Sequence, residues 1–356
     1  SASAGQLADA VPKHRLIRRV KLAELSIMGV GAAGLILPNA WVMLAALAAM
    51  GAQSALFGPA KYASLPTLLH PDELLRANGL IQASTFIAIL AGTVLGGVIM
   101  LAPQGPEIAA ASVLVFAAIG LASSYAIPTM AINAPGTRAH WNLPRQTWRI
   151  MRDGLARRDL RWLLAGTCYF WLSGMVYVSL APVLAQDVLG GGAGATTLIL
   201  TAFALGVGVG AIGVSRLLRG RLTTAAVPAA AITIALAAAS AFYLAATSPD
   251  IASSAVAADG PSAFMLWRAD GGDWILLPAA LFLLAMAGGA FVTPLHAIIQ
   301  HRAPAAEKAR IIAANNVIDA AGMVTSAGGA AAALALGAGL PAILLAACVL
   351  SGLVAA

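Results

Sequence analysis

Charged side chains make up only 10% of this 356-residue chain, so each one set in an apolar stretch is a candidate for function. Two occupy matching places. Lys61 follows Pro59 by two residues in "FGPAKYASLPTLLHPDELLRANG", Phe57 to Gly79, and His296 follows Pro294 by two in "FVTPLHAIIQHRAPAAEKARIIAANN", Phe291 to Asn316. Both stretches then pass a second proline and a glutamate and end in Ala-Asn, at Ala77-Asn78 and Ala314-Asn315. Allowing a short gap, one reads as a diverged copy of the other. The Lys61 ammonium could hold an anionic group, since Pro59 frees a carbonyl and bends its helix inward. The alternative is a lysine snorkelling to the membrane surface. His296 is either a ligand-facing imidazole or a packed one bonded to a carbonyl. Asn78 with Gln82, and Asn315 with Asp319, stand at i and i+4 on one helix face. Such pairs line a cavity or gate, or they tie helices together. Glu24 pairs locally with Lys21. The sequence shows no metal-ligand cluster, no nucleophile–base pair and no Lys-Ser or Lys-Thr after its glycine-rich runs. Nothing therefore points to catalysis, a metal or a cofactor.

The elements that must carry these residues are membrane helices. Hydrophobic residues are 60% of the chain, more than a soluble core absorbs. Ten apolar segments, each near the length needed to cross a bilayer, are expected as helices at 22–37, 40–60, 74–101, 107–127, 161–184, 196–217, 223–247, 274–298, 311–336 and 338–356. They show none of the alternation a barrel requires. Twenty of the 21 Lys and Arg residues fall in alternate connections, at 9–21, 58–76, 128–161, 215–221 and 302–310; only Arg268 lies in the other set. That asymmetry places the basic set in the cytoplasm and gives the net charge of +7 a role in orientation rather than in binding nucleic acid. Cys168 and Cys348 sit in apolar runs and suggest no disulfide framework. The longest inner connection contains "WRIMRDGLARRDLRW", either a basic amphipathic helix on the membrane surface or a solvated linker. The longest outer connection, 248–273, is expected to be irregular. Gly92, Gly96 and Gly97 form one small-residue face and Gly206, Gly210 and Gly213 another, both expected to pack closely against neighbouring helices.

The long inner connection divides the chain into residues 1–127 with four helices, a loop at 128–160, and residues 161–356 with six. The repeat links the second and third helices of the first block but the fourth and fifth of the second. The first block is therefore expected to lack two leading helices of a six-plus-six plan. Two six-helix halves joined by a long cytoplasmic loop resemble the major facilitator superfamily, an all-α, polytopic membrane fold whose halves rock about a central site. "GQLADAVPKHR" resembles the superfamily's loop motif through Gly5, Asp9, Lys13 and Arg15, with Ala10 and Pro12 departing from it. In the second half "GVSRLLRGRL" keeps only the arginines. The motif implies that the chain is a fragment beginning at the end of family helix two, with ten helices of twelve, and the isolated chain is expected not to transport.

"GPAKYASLP", followed by "ELLRANGLIQASTFIAILAGTVLGG" and "FVTPLHAIIQ", is similar to the lysophospholipid transporter family. Details such as "YFWLSGMVYVSLAPVLAQDVLGG" look closer to a subgroup fused to a phospholipid acyltransferase. The resemblance implies inward movement of lysophospholipid, of lysophosphatidylethanolamine type, across a bacterial inner membrane by alternating access. It implies membrane lipid as a partner, and any fused or associated acyltransferase outside this chain. It marks Lys61 for the substrate, since a phosphate needs a cation; Tyr62 beside it and His296 at the matching place in the second half are the other substrate-binding candidates. Two other readings fit the same residues. One is a membrane-anchoring, transporter-like part of a bifunctional acyltransferase. The other is a drug or solute exporter of the same superfamily, which fits the fold but not the "GPAKY…RANGL" text.

Overall fold

The computed structural model describes residues 2–131, 143–247 and 275–355, and every regular element among them is helical. In chain order these are α1 (Ala2–Ala10), α2 (Lys13–Ile36), α3 (Ala40–Leu68), α4 (Leu74–Met100), α5 (Gly105–Ser124), α6 (Leu143–Ala156), α7 (Arg161–Asp187), α8 (Ala193–Leu217), α9 (Val227–Thr247), α10 (Leu276–Arg302), α11 (Lys308–Ala335) and α12 (Leu340–Ala355). Eight of them (α3–α5 and α7–α11) are long and apolar enough to cross a membrane. With α2 and α12 they match the ten apolar segments one for one. The outer connection expected at 248–273 lies outside the described residues.

Three of the boundaries that differ from the sequence reading bear on the site. Helix α2 begins at Lys13, so most of the basic stretch 9–21 is helix rather than loop. Its Leu16, Ile17 and Val20 recur at helical spacing and pack into a buried cluster with Ala8, Ala60, Ala63, Ala309 and Ile312. Helix α3 does not stop near residue 60. It continues through Pro59 and Pro66 to Leu68. Helix α10 likewise runs through Pro294 to Arg302. Proline costs one internal hydrogen bond, which packing within a membrane protein tolerates. The two repeat copies then fold alike. Each proline-containing helix ends, two residues pass, a short 3₁₀ turn carries the glutamate (Pro71–Glu73, Ala305–Glu307), and the next helix starts at once.

Contacts group the chain into two compact units. The first comprises Ser1–His70, Gly92–Leu164 and Ile299–Ile318; the second comprises Pro71–Ala91, Ala165–Ile298 and Asp319–Ala356. In the first unit α2 packs on both α3 and α5, and α1 packs on α3 and α6. In the second unit α8 and α10 meet backbone to backbone. A Cβ on Gly206 would lie 2.5 Å from the Phe282 carbonyl, and one on Gly210 would collide with that of Met286. The expected close packing thus holds at Gly206 and Gly210 but not at Gly213, Gly92, Gly96 or Gly97, where nothing among the described residues comes within 4 Å. Small-residue spacing permits a close approach without supplying the partner. Four exposed tryptophans and tyrosines stand near helix ends, with Trp41 at the start of α3, Tyr125 after α5, Trp162 at the start of α7 and Tyr243 late in α9. This is the belt expected at membrane–water interfaces.

Candidate functional site

Two clusters in the first unit hold five of the sequence candidates: Lys61 and Tyr62 in one, Gly5, Asp9 and Lys13 in the other. One joins α2 to α3. Glu24 accepts hydrogen bonds from Lys21 at 2.9 Å and from the Gln53 amide at 2.8 Å. Lys21 Nζ also lies 4.8 Å from the Phe57 ring centre. From farther along α3, Lys61 reaches back towards the same ring at 5.8 Å and over the Tyr62 ring at 4.6 Å. Among the described residues no carboxylate lies within ion-pair distance of Lys61. Two ammonium groups thus approach one aromatic ring, and with the single carboxylate of Glu24 the cluster carries one uncompensated positive charge. Cation–π contacts orient a cation without neutralising it, so an anion can still be received there. Continuation of α3 through Pro59 is what sets Lys61 one turn after Phe57. Close by, α11 is pressed against α3. A Cβ on Gly58 would stand 2.7 Å from the Asn316 side-chain nitrogen.

The second cluster is the loop motif. Asp9, fully buried at the end of α1, caps the start of α11 from three hundred residues away. One of its oxygens accepts the Ala309 N–H at 3.0 Å and the other accepts the Arg310 N–H at 3.2 Å. The first amides of a helix have no partner within it, and they form the positive end of its dipole. The Arg310 guanidinium stands 3.5 Å away as well. Gly5 makes the approach possible, since a Cβ there would sit 2.7 Å from the Ala309 carbonyl. Burial pushes the Asp9 carboxyl above the usual carboxylate range, opposed by the two amides, Lys13 and Arg310. Lys13, with no exposed surface, has its ammonium pushed down by burial, with Asp9 acting the other way. Its Nζ makes no hydrogen bond. Arg15 takes no part in this contact. It is exposed and, with Arg19, lines an otherwise mostly apolar groove of about 570 Å³ among α1, α2 and α3. Beside the Asp9 contact, Gln6 donates to Gln146 of α6 at 3.2 Å, and Arg157 pairs with Glu307 at 3.4 Å.

Asn315 is buried on α11 in the first unit, whereas Asp319, one turn on and also buried, belongs to the second. Gly322 of the same helix is packed tightly against the Cys168 sulfur of α7. In the second unit the buried Asn78 donates to the Leu74 carbonyl at 2.8 Å, while Gln82 is buried with its amide nitrogen unbonded. Their stretch of α4 lies on α8. A Cβ on Gly79 would be 2.7 Å from the Ala211 carbonyl, and Gly208 faces Ala83. His296 is half-buried within α10 in the second unit, so Lys61 and Tyr62 are not grouped with it. Sequence reasoning missed Gln53, a lone amide in an apolar run, and the Phe57 ring that both lysines approach. The polar-in-apolar rule applied to Lys61 would have found Gln53.

Comparison with known proteins agrees with this architecture. The model of the Major Facilitator Superfamily matches residues 4–327. The lysophospholipid transporter LplT of Enterobacter sp. (strain 638) is 31% identical over 313 residues, covering 84% of this chain. LplT of Salmonella newport (strain SL254) is likewise 31% identical over 313 residues. In both cases the match spans 66% of the relative's length. Among solved structures, a bacterial homologue of the iron transporter ferroportin in its outward-facing state superposes with a TM-score of 0.69 at 13% identity, covering 99% of this chain and 85% of that one. The E. coli fucose:proton symporter FucP gives 0.66 at 13% identity, covering 99% and 84%. At such identity these two speak for the fold alone. The helix plan, the Asp9 loop motif and the match over residues 4–327 make this chain a member of the Major Facilitator Superfamily.

Proposed function

We propose that the chain is the greater part of a transporter that carries lysophospholipid, of lysophosphatidylethanolamine type, across the inner membrane by alternating access. The proposed halves are residues 1–127 and 161–356, joined through 128–160. The observation that carries the substrate reading is the α2–α3 cluster, where Lys61 keeps an uncompensated charge over two rings beside the Lys21–Glu24 pair. A lysophospholipid brings a phosphate for the ammonium and a single acyl chain for apolar walls. Resemblance to the LplT proteins supports the same class. In this reading Tyr62 orients the ammonium, and His296, Asn78, Gln82, Asn315 and Asp319 supply polar lining or gate contacts. The Asp9 cap on α11 holds one conformation until substrate shifts the balance.

Lys61 gives the test. A hydrogen bond to a charged group is worth about 1.5–3 kcal/mol, or roughly ten- to a hundredfold in affinity. Uptake of labelled lysophosphatidylethanolamine into spheroplasts should fall by that order in the complete transporter bearing Lys61→Ala, normalised to inserted protein. Lys61→Arg should retain part of the activity, because the charge stays while the geometry of its donors changes. Near-normal uptake by the alanine variant would remove Lys61 from the site and leave it a snorkelling residue.

A further inference from the structure

Helix α6 has one buried face and one exposed face. Gln146 and Gly154 are buried, and the former is tied to Gln6 of α1. On the other side stand Arg145, Trp148, Arg152 and Leu155, spaced three, four and three residues apart on one face. Trp148 is 69% exposed and Leu155 42%. Four residues separate the end of α6 from Arg161, where the membrane-crossing α7 begins. There Trp162 is 73% exposed, with the Arg161 guanidinium 5.2 Å from its ring centre. So short a connection holds α6 at the level of the membrane surface. A tryptophan ring is at home there, whereas in bulk water it would be costly. The exposed charges are unequal. Arg149 and Arg152 share Asp153, at 3.8 and 3.3 Å, and Arg158 and Arg161 add to the positive side.

We propose that the Trp148–Arg152–Leu155 face of α6 docks on the anionic headgroups of the cytoplasmic leaflet. The two apolar side chains enter the headgroup boundary while the arginines meet lipid phosphates. Basic residues near an anionic surface each contribute about fivefold to binding, and salt screens them. The face reads bulk lipid and needs no assumption about the transported substrate.

The test uses the 356-residue chain in nanodiscs, with Cys168→Ser and Cys348→Ser and a bimane label on Leu155→Cys, a site chosen for its exposure. In nanodiscs containing one third phosphatidylglycerol, the label should emit further to the blue than in phosphatidylcholine alone. It should resist iodide and be quenched by spin-labelled lipid tails. High salt should reverse this, and Arg152→Gln with Arg158→Gln should lower the protected-to-exposed ratio by about twentyfold. Equal iodide quenching in both lipids would overturn the proposal. So would protection that appears in phosphatidylcholine only when an acidic protein is added, which would make the partner a protein.

Discussion

Replacing Asp9 by asparagine removes the charge at the α11 cap while keeping the shape. The carboxylate offers two oxygens to two amides, at 3.0 and 3.2 Å, and a carboxamide offers one oxygen and an NH₂ group. One buried N–H of Ala309 or Arg310 is then left unbonded, at about 1–3 kcal/mol. Losing an ordinary helix cap costs about 0.5–2 kcal/mol, so the two figures agree in scale. Two further effects act in opposite directions. Lys13 and Arg310 lose their neighbouring anion, which adds to the loss. Burial already disfavours the charged form of Asp9, which subtracts from it. The expected shift is about 1–3 kcal/mol against the capped arrangement, or roughly five- to 150-fold in population. A thiol at Ala63→Cys reports it, since Ala63 has no exposed surface and shares a buried cluster with Ala8, Ala309 and Ile312. In inside-out membrane vesicles, with Cys168→Ser and Cys348→Ser, labelling by an impermeant maleimide should rise at least fivefold in Asp9→Asn. Gly5→Ala should act in the same direction with the charge intact, because its Cβ would press on the Ala309 carbonyl. A labelling rate within twofold of the parent for Asp9→Asn would refute the capping argument, whatever Gly5→Ala does.

Gly210→Ala should lower the thermal midpoint by an amount equivalent to about 1–3 kcal/mol, as overpacking does, because its Cβ meets the Met286 carbonyl; Gly96→Ala should not, having nothing within 4 Å. Tryptophan fluorescence on heating in detergent compares the two. Glu24→Gln removes the carboxylate that pairs with Lys21 and raises the positive charge of the cluster, so the variant should melt lower than the parent, and lysophospholipid should raise its midpoint more than it raises the parent's. An equal gain in both would show that the α2–α3 cluster does not receive the anion.

The ten apolar helices, eight of them long and apolar enough to cross a membrane, were legible because a bilayer imposes length and apolarity on each helix separately. Helix ends were less legible. Prolines at 59, 66 and 294 look like stops to a rule drawn from soluble helices, yet α3 and α10 pass through them. The basic stretch from Lys13 to Lys21 looked like a loop because its charges hid the spacing of Leu16, Ile17 and Val20. Glycine spacing misled at Gly92 and Gly96, since packing depends on which helix comes opposite. The local Lys21–Glu24 pair was readable at i, i+3; its extension to Gln53 and Phe57 depends on how α2 lies along α3, which no local pattern encodes.

The loop motif shows most clearly where local reading ends. Gly5, Asp9, Lys13 and Arg15 were recognised together, but the structure divides their work. Gly5 admits the neighbouring backbone, Asp9 binds it, Lys13 is buried beside the carboxylate, and Arg15 points away. The second-half stretch "GVSRLLRGRL" has no acid, and its place is filled by a different kind of contact. There α8 meets the start of α4 through Gly79 against the Ala211 carbonyl, and the connection after α8 meets the 3₁₀ turn before α4 through Gly220, at φ 80°, against the carbonyl of Asp72. A carboxylate and two amides that separate can each be rehydrated, so breaking the Asp9 cap costs only the difference between protein and water partners. Glycine-to-backbone packing is short-ranged, and a small separation forfeits much of it with no substitute from water. Of the two related contacts, the one at Asp9 is therefore suited to repeated making and breaking, and a single charge controls its strength.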